Sequence, residues 1–314
     1  MSMIVSAFGM TGPVLSVFLL LFVGYGSKKI KLLRAEDADL LNTIVVYITL
    51  PCFIFHAIYS YEQPLSLSMA KVPIIGFAMI FVTLILAYAI GKAIKLSPGM
   101  LAGFMLAAGF GNTGFLGYPV VQAAFTNKGA LVSAVLYDEF AMAMPLYVIG
   151  LLIVAYFQGQ KADHNQIIRA FKFPQLWAIP IALIARQFQF PVTIVNAIHY
   201  LGNGTVPLVM ISLGLSLSSK SLKGYLVPVV AVCALKLAVL PIITHYAAGF
   251  AGMTGISYQS TVLEAGMPTA MMAGVLVSKF GRSGEFMAGV IFVTTLLSIL
   301  TIPITLIILG VPGH

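Results

Sequence analysis

The sequence predicts an all-α membrane protein of ten transmembrane helices, arranged as two inverted five-helix repeats with broken helices at spans four and nine. Three observations point there: the composition is too apolar for a water-soluble surface, basic residues alternate from loop to loop, and the two halves resemble each other. Of the 314 residues, 60% are hydrophobic and only 8% charged, and the mean hydropathy is +1.03. Soluble domains carry about 25% charge and about 45–50% apolar residues, so a soluble enzyme or nucleic-acid binder is excluded. A formal charge of +8 would suggest nucleic acid in a soluble chain. In a membrane protein it marks cytoplasmic loops.

A hydrocarbon core of ~30 Å needs roughly 20 apolar residues per crossing. In chain order such stretches cover about 5–27, 38–59, 72–94, 99–125, 130–157, 174–190, 192–218, 224–248, 257–279 and 285–309. No Lys or Arg occurs between Met1 and Met10, so span one lacks the charged start of a secretory signal and is read as a retained crossing. Pro73 and Pro228 open spans three and eight, and Pro145 and Pro303 fall late in spans five and ten. Connections are short, the longest being Gln158 to Lys172, which leaves no room for a soluble domain.

The charges check this count. Loops on the side opposite the termini carry Lys28, Lys29, Lys31, Arg34, Lys92, Lys95, Lys161, Arg169, Lys172, Lys220, Lys223, Lys279 and Arg282, thirteen in all. The other side carries three: Lys71, Lys128 and Arg186. Positive loops stay inside, so both termini are expected outside. Residues 1–157 and 158–314 form the two repeats: Thr49-Leu50-Pro51 recurs as Thr205-Val206-Pro207, and Ala108-Gly109-Phe110-Gly111 as Ala265-Gly266-Met267-Pro268. Five spans per half is odd, so the second half must be inserted upside down, as in many secondary transporters with a midplane site.

Spans four and nine are interrupted at matching places, by Gly109 through Pro119 and by Glu264-Ala265-Gly266-Met267-Pro268-Thr269. Glycine and proline weaken a helix. Backbone freed at membrane depth survives only against protein or a wet cavity. The expectation is a pair of broken helices crossing mid-membrane and offering N–H groups to an anion. Gly109-x-Gly111-x-x-Gly114 is no dinucleotide fingerprint, because that motif needs a preceding strand. Asn203-Gly204-Thr205 falls within span seven and is a glycosylation sequon on paper only.

Ionisable groups inside a membrane are costly and mark function. They are Asp138 and Glu139 in span five, Lys236 in span eight and Glu264 before the span-nine break. Glu264 is expected to bind a cation or carry a proton, and Lys236 either to pair with Asp138 or to attract an anion. Glu139 points ~100° away from Asp138 on an ideal helix. His56, His199 and His245 stand isolated in sequence, and Cys52 and Cys233 have neither disulfide nor metal-type spacing. The Met267, Met271, Met272 stripe reads as packing or a pocket wall. No HExxH or nucleophile triad is present, so the sequence does not predict an enzyme.

At the interrupted spans the chain resembles the auxin efflux carrier family, which includes plant PIN-type transporters and bacterial organic-acid carriers. The resemblance runs through Leu41-Asn42, Leu50-Pro51-Cys52-Phe53-Ile54-Phe55, Gly111 through Pro119, Leu136-Tyr137-Asp138, Val206-Pro207, Leu235-Lys236-Leu237 with Pro241, and Met267-Pro268-Thr269-Ala270. It implies a scaffold of spans one, two, six and seven, and a transport domain of spans three to five and eight to ten that moves elevator-fashion. It implies a substrate carboxylate at the crossover, Asn112 as the binding asparagine and Pro268 as the crossover proline. Plant members carry proline where this chain has Gly111, and this chain lacks their long central loop, which suggests a prokaryotic inner-membrane protein. More distantly, Glu264-Ala265-Gly266-Met267 resembles the bile-acid:sodium symporters, whose glutamate binds sodium.

Together these readings predict a secondary active transporter of small organic anions, symporting with sodium or protons. Gly111, Asn112, Thr113, Pro268 and Thr269 would line the substrate site, with Glu264, Asp138 and Lys236 serving the coupling ion. A sodium ion would lie at Glu264, Met267, Asn112 and Thr113. The expected partners are the organic anion, membrane lipid and a second copy bound through the scaffold, with no nucleic acid. A ligand-gated channel or sensor is the alternative.

Overall fold

The computed structural model describes residues 2–159, 168, 171–188, 190–217, 224–280 and 283–311. The loop residues Lys161, Arg169, Lys220, Lys223 and Arg282 lie outside them, so their share of the charge alternation is not traced in space. The helices are α1 (Ser2–Lys29), α2 (Asp37–Tyr59), α3 (Leu67–Ala93), α4 (Pro98–Gly109), α5 (Tyr118–Ala124), α6 (Lys128–Phe157), α7 (Pro174–Ala185), α8 (Val192–Ser216), α9 (Leu226–Phe250), α10 (Gly255–Ala265), α11 (Met271–Phe280) and α12 (Gly284–Ile308). Among the described residues there is no strand beyond one isolated pairing of Gly111 with Thr269. Six helices, α2, α3, α6, α8, α9 and α12, are long and apolar enough to cross a membrane. The chain is an all-helical, multi-pass membrane protein.

Local chemistry sets the helix ends. α3 starts five residues before the boundary expected at 72, because Ser66 caps it by accepting from the Met69 N–H at 3.2 Å. Pro73 therefore sits inside the helix. Asn127 caps α6 through the Gly129 N–H at 2.8 Å, and Pro98 and Pro174 occupy the first turns of α4 and α7. α7 stops at Ala185 rather than 190, turning through Arg186 and Phe188 before Pro191. α1 and α3 end alike, with Lys31 and Lys95 at φ 61° and 57°. The Leu32 and Leu96 N–H groups return to carbonyls of the last turn, each at 2.9 Å.

Five stretches widen into π-helix: Val45–Thr49, Thr113–Gly117, Tyr137–Ala143, Leu146–Gly150 and Leu235–Val239. Apolar periodicity gave no sign of them. Asp138 and Glu139 lie in one and Lys236 in another, in keeping with the tendency of π-bulges to fall at functional positions. The widening alters the ~100° separation of an ideal helix, and both Asp138 and Glu139 are buried.

The buried apolar side chains form two large clusters. One gathers α3, α4, the latter part of α6, α9, α11 and the first half of α12. The other gathers α1, α2, α7 and the second half of α8, with facing residues of α5, α6 and α12. In the second cluster α1 and α8 meet backbone to backbone: a Cβ on Gly24 would strike the Ile211 carbonyl oxygen, and one on Gly214 the Leu21 carbonyl oxygen. The Lys28 ammonium then takes the Leu215 carbonyl at 2.6 Å and the Leu217 carbonyl, closing the end of α8. Small residues permit this approach, and lipid gives helices no hydrophobic reason to associate otherwise. Gly214→Val is expected to destabilise the folded protein by about 1–3 kcal/mol through overpacking, read as a lower melting temperature in detergent. Gly26→Ala, which meets nothing within 4 Å, should melt like the parent.

Candidate functional site

The helix breaks meet in space. α4 ends at Gly109, Phe110 turns extended at φ −99°, ψ 127°, and the chain re-enters helix at Thr113. On the other side α10 ends at Ala265 and α11 begins at Met271. Between them the two extended segments run antiparallel, with the Asn112 N–H donating to the Pro268 carbonyl at 2.7 Å and the Ala270 N–H to the Phe110 carbonyl at 3.0 Å. These bonds bracket the Gly111–Thr269 pair. Backbone groups that the helices release are satisfied here by each other, as a membrane interior demands.

The remaining partners at the crossing come from neighbouring helices. The Gly111 N–H points to the Met142 sulfur at 3.0 Å, the Thr269 hydroxyl donates to the Ala107 carbonyl at 2.9 Å, and the Thr269 N–H to the Thr294 hydroxyl at 3.2 Å. The Asn112 carbonyl accepts from the Leu116 and Gly117 N–H groups. Its side-chain Nδ2 is buried with no partner among the described residues, and Asn112 lines a cavity of about 100 Å³. Gly111, Thr113, Asp138, Met271 and Met272 also line that cavity, whose far wall includes Phe173 and Gln175.

Three polar groups converge behind it. Asp138 accepts the Thr113 hydroxyl on Oδ1 and the Tyr118 hydroxyl on Oδ2, the latter at 2.8 Å. Lys236, fully buried, donates to the Ala265 carbonyl at 2.9 Å, the end of α10. Its ammonium lies 2.8 Å from where a Gly111 Cβ would stand. Glu264 is fully buried and neither carboxylate oxygen has a hydrogen-bond partner among the described residues. Its carboxyl occupies the space of an absent side chain at Gly117, where a Cβ would lie 2.7 Å from Cδ.

The sequence expectations are met unevenly. Gly111, Asn112, Thr113 and Asp138 come together at one cavity. Pro268 and Thr269 contribute through the backbone pairing, and the Thr269 hydroxyl is spent on Ala107. Lys236 does not pair with Asp138: each has other partners. Of the expected sodium set, the Thr113 hydroxyl donates to Asp138, the Met267 side chain packs in the apolar core, and the Glu264 carboxylate has no hydrogen-bond partner among the described residues. His56 and His199 are not isolated, with ring centroids 4.3 Å apart, whereas His245 is held by the Tyr258 hydroxyl at 2.5 Å. Sequence reading missed Gly117, Tyr118 and Met142. The first two stand inside the quoted span-four motif, and only the fold shows what they face.

The family described as membrane transport protein matches residues 10–306. The chain belongs to this family, the auxin efflux carriers. It is 34% identical to a Methanothermobacter thermautotrophicus protein named as a transporter, over 96% of this chain and 99% of that one. A Methanocaldococcus jannaschii protein also named as a transporter is 33% identical over 92% of this chain and 95% of its own. A Rhizobium meliloti protein provisionally named a malonate transporter is 26% identical, with 93% of each chain covered. Members are membrane transporters, not enzymes, and the length and apolar character of α2, α3, α6, α8, α9 and α12 are consistent with that.

The contact between Gly117 and Glu264 is testable on its own. Gly117→Ala should lower the melting temperature, because no empty volume remains for the Cβ. Glu264→Ala added to it should recover part of that loss, giving a coupling of about 0.5–3 kcal/mol in a double-mutant cycle.

Proposed function

We propose that the chain is a secondary active transporter of small organic anions, working by elevator-type alternating access. The observation that carries this reading is the crossing itself, with Asn112 presenting an unpartnered buried amide to a cavity where two broken helices meet. A carboxylate accepts from such a donor and from exposed helix ends. The relative provisionally named a malonate transporter supports a carboxylate substrate. In this reading the chain makes ten crossings, as inverted halves 1–157 and 158–314, with the termini outside a prokaryotic inner membrane. The two apolar clusters support a scaffold of spans one, two, six and seven beside a transport domain of the rest. A homodimer would form through that scaffold.

Glu264 is the coupling residue in this proposal. An ionised carboxylate without a partner is very costly at membrane depth, so Glu264 calls for a proton or a cation. The two buried oxygens of that carboxylate suit a hard cation, and the Thr113 hydroxyl, the Asn112 side chain and carbonyls freed at the break would supply further oxygens. A bound sodium ion would supply the positive charge that the carboxylate lacks. Asp138 holds Thr113 and Tyr118 in place beside the substrate cavity, and Lys236 fastens the end of α10.

In liposomes the purified protein is expected to accumulate malonate or a similar small carboxylate under a sodium or proton gradient. Asn112→Ala should lower uptake by roughly 10-fold or more, the effect of one lost charge-assisted hydrogen bond of about 1.5–3 kcal/mol. Movement of no carboxylate under any gradient would refute the assignment, and single-channel currents would move it to a channel. Separately, Glu264→Gln is expected to fold and bind but to lose the dependence on sodium and pH. An unchanged dependence would remove Glu264 from coupling.

A further inference from the structure

A second cavity of about 430 Å³, apolar over most of its wall but with several polar side chains, lies apart from the crossing. It is lined by His56 of α2 and Ser60 just past its end, His199 and Asn203 of α8, and Asn127 and Lys128 where α6 begins. Among the described residues no carboxylate lines it, while an ammonium, two imidazoles and several amides do. The imidazoles lie against each other with centroids 4.3 Å apart, and His199 Nε2 meets Asn203 Nδ2 at 3.1 Å. From the opposite wall the Lys128 ammonium reaches across to the Ser60 carbonyl at 3.4 Å. Phe53 also lines this space, and its ring stacks on Tyr118 with centroids 5.9 Å apart. Tyr118 in turn holds Asp138 at the crossing cavity. Phe53 and Tyr118 thus connect the wall of this cavity to Asp138 at the crossing.

We propose that this cavity is a second binding site, an antechamber that takes a small carboxylate between Lys128 and the His56–His199 pair. The ammonium and the amides donate to carboxylate oxygens, and a proton on either imidazole adds a charge-assisted donor. His56, His199 and Lys128 are the ionisable groups lining the cavity from α2, α8 and α6. A proton on an imidazole adds a positive donor to those already lining the cavity, so affinity is expected to rise as pH falls. One added charge at contact distance in a wet cavity tightens binding by roughly 10-fold. The site stands on its own chemistry and requires no transport.

The test uses the full-length protein with isotopically labelled histidine rings, in phosphatidylcholine nanodiscs, titrated with malonate at pH 6 and pH 8. His56→Gln and His199→Gln assign the two ring signals. Saturable shifts of both are expected, tighter at pH 6 by roughly 10-fold, retained in Asn112→Ala and weakened at least as much in Lys128→Gln. Lys128 is exposed, so that variant should fold even where a histidine variant does not. Absence of a saturable shift overturns the proposal. So does loss of the shift in Asn112→Ala, which would make the histidines reporters of the crossing. Equal shifts from phosphatidylglycerol without malonate would give the cavity to a lipid headgroup and overturn it too. Liposome uptake is read separately, so failure of the transport assignment leaves the histidine shifts to be judged alone.

Discussion

The structure hangs on two hydrogen bonds, from the Asn112 N–H to the Pro268 carbonyl and from the Ala270 N–H to the Phe110 carbonyl. Without them, two helices broken in the same layer would leave peptide groups bare where no water can reach. Each such group costs several kcal/mol in hydrocarbon. The pairing also fixes which atoms face outward from the crossing. Because Gly111 and Thr269 oppose one another, the flanking Asn112 side chain is thrown to one side, into the cavity. Recognition at Asn112 and tolerance of the break are the same piece of geometry.

Around that pairing, missing side chains matter as much as present ones. Gly117 leaves the volume that the Glu264 carboxyl fills, and Gly114 leaves room for Asp138, whose Oδ2 would lie 2.7 Å from an added Cβ. The glycine-rich run in span four is thus not only a helix breaker. It is a mould for three ionisable groups delivered by three other helices. Packing at interior density leaves no slack for the added atom, so each group is positioned by what its neighbour lacks.

Much of this was legible beforehand. Composition identified the membrane, and glycine and proline in Gly109 through Pro119 and in Gly266 through Thr269 located both breaks. Asn112, Thr113 and Asp138 reached the same cavity because the break and the intramembrane acid were each recognisable in one dimension. Partnerships were not. Lys236 and Asp138 have opposite charges, which favours pairing them on paper, yet Lys236 finds the Ala265 carbonyl at the open end of a half-helix. That preference depends on which helix ends nearby, and spacing along a chain does not encode it. His56 and His199 are 143 positions apart, and only the packing of α2 on α8 reveals them as a pair. The π-helical turns escaped for a similar reason, since inserting one residue in a uniformly apolar segment leaves the pattern unchanged.

The close approach of Lys236 to Gly111 also limits what position 111 can hold. A proline at position 111 would place a ring where this chain keeps an ammonium, 2.8 Å from the site of an added Cβ. Proline would also remove the N–H that meets the Met142 sulfur. Positions 111, 142 and 236 are therefore coupled, and a change at the first is expected to need an answering change at the other two.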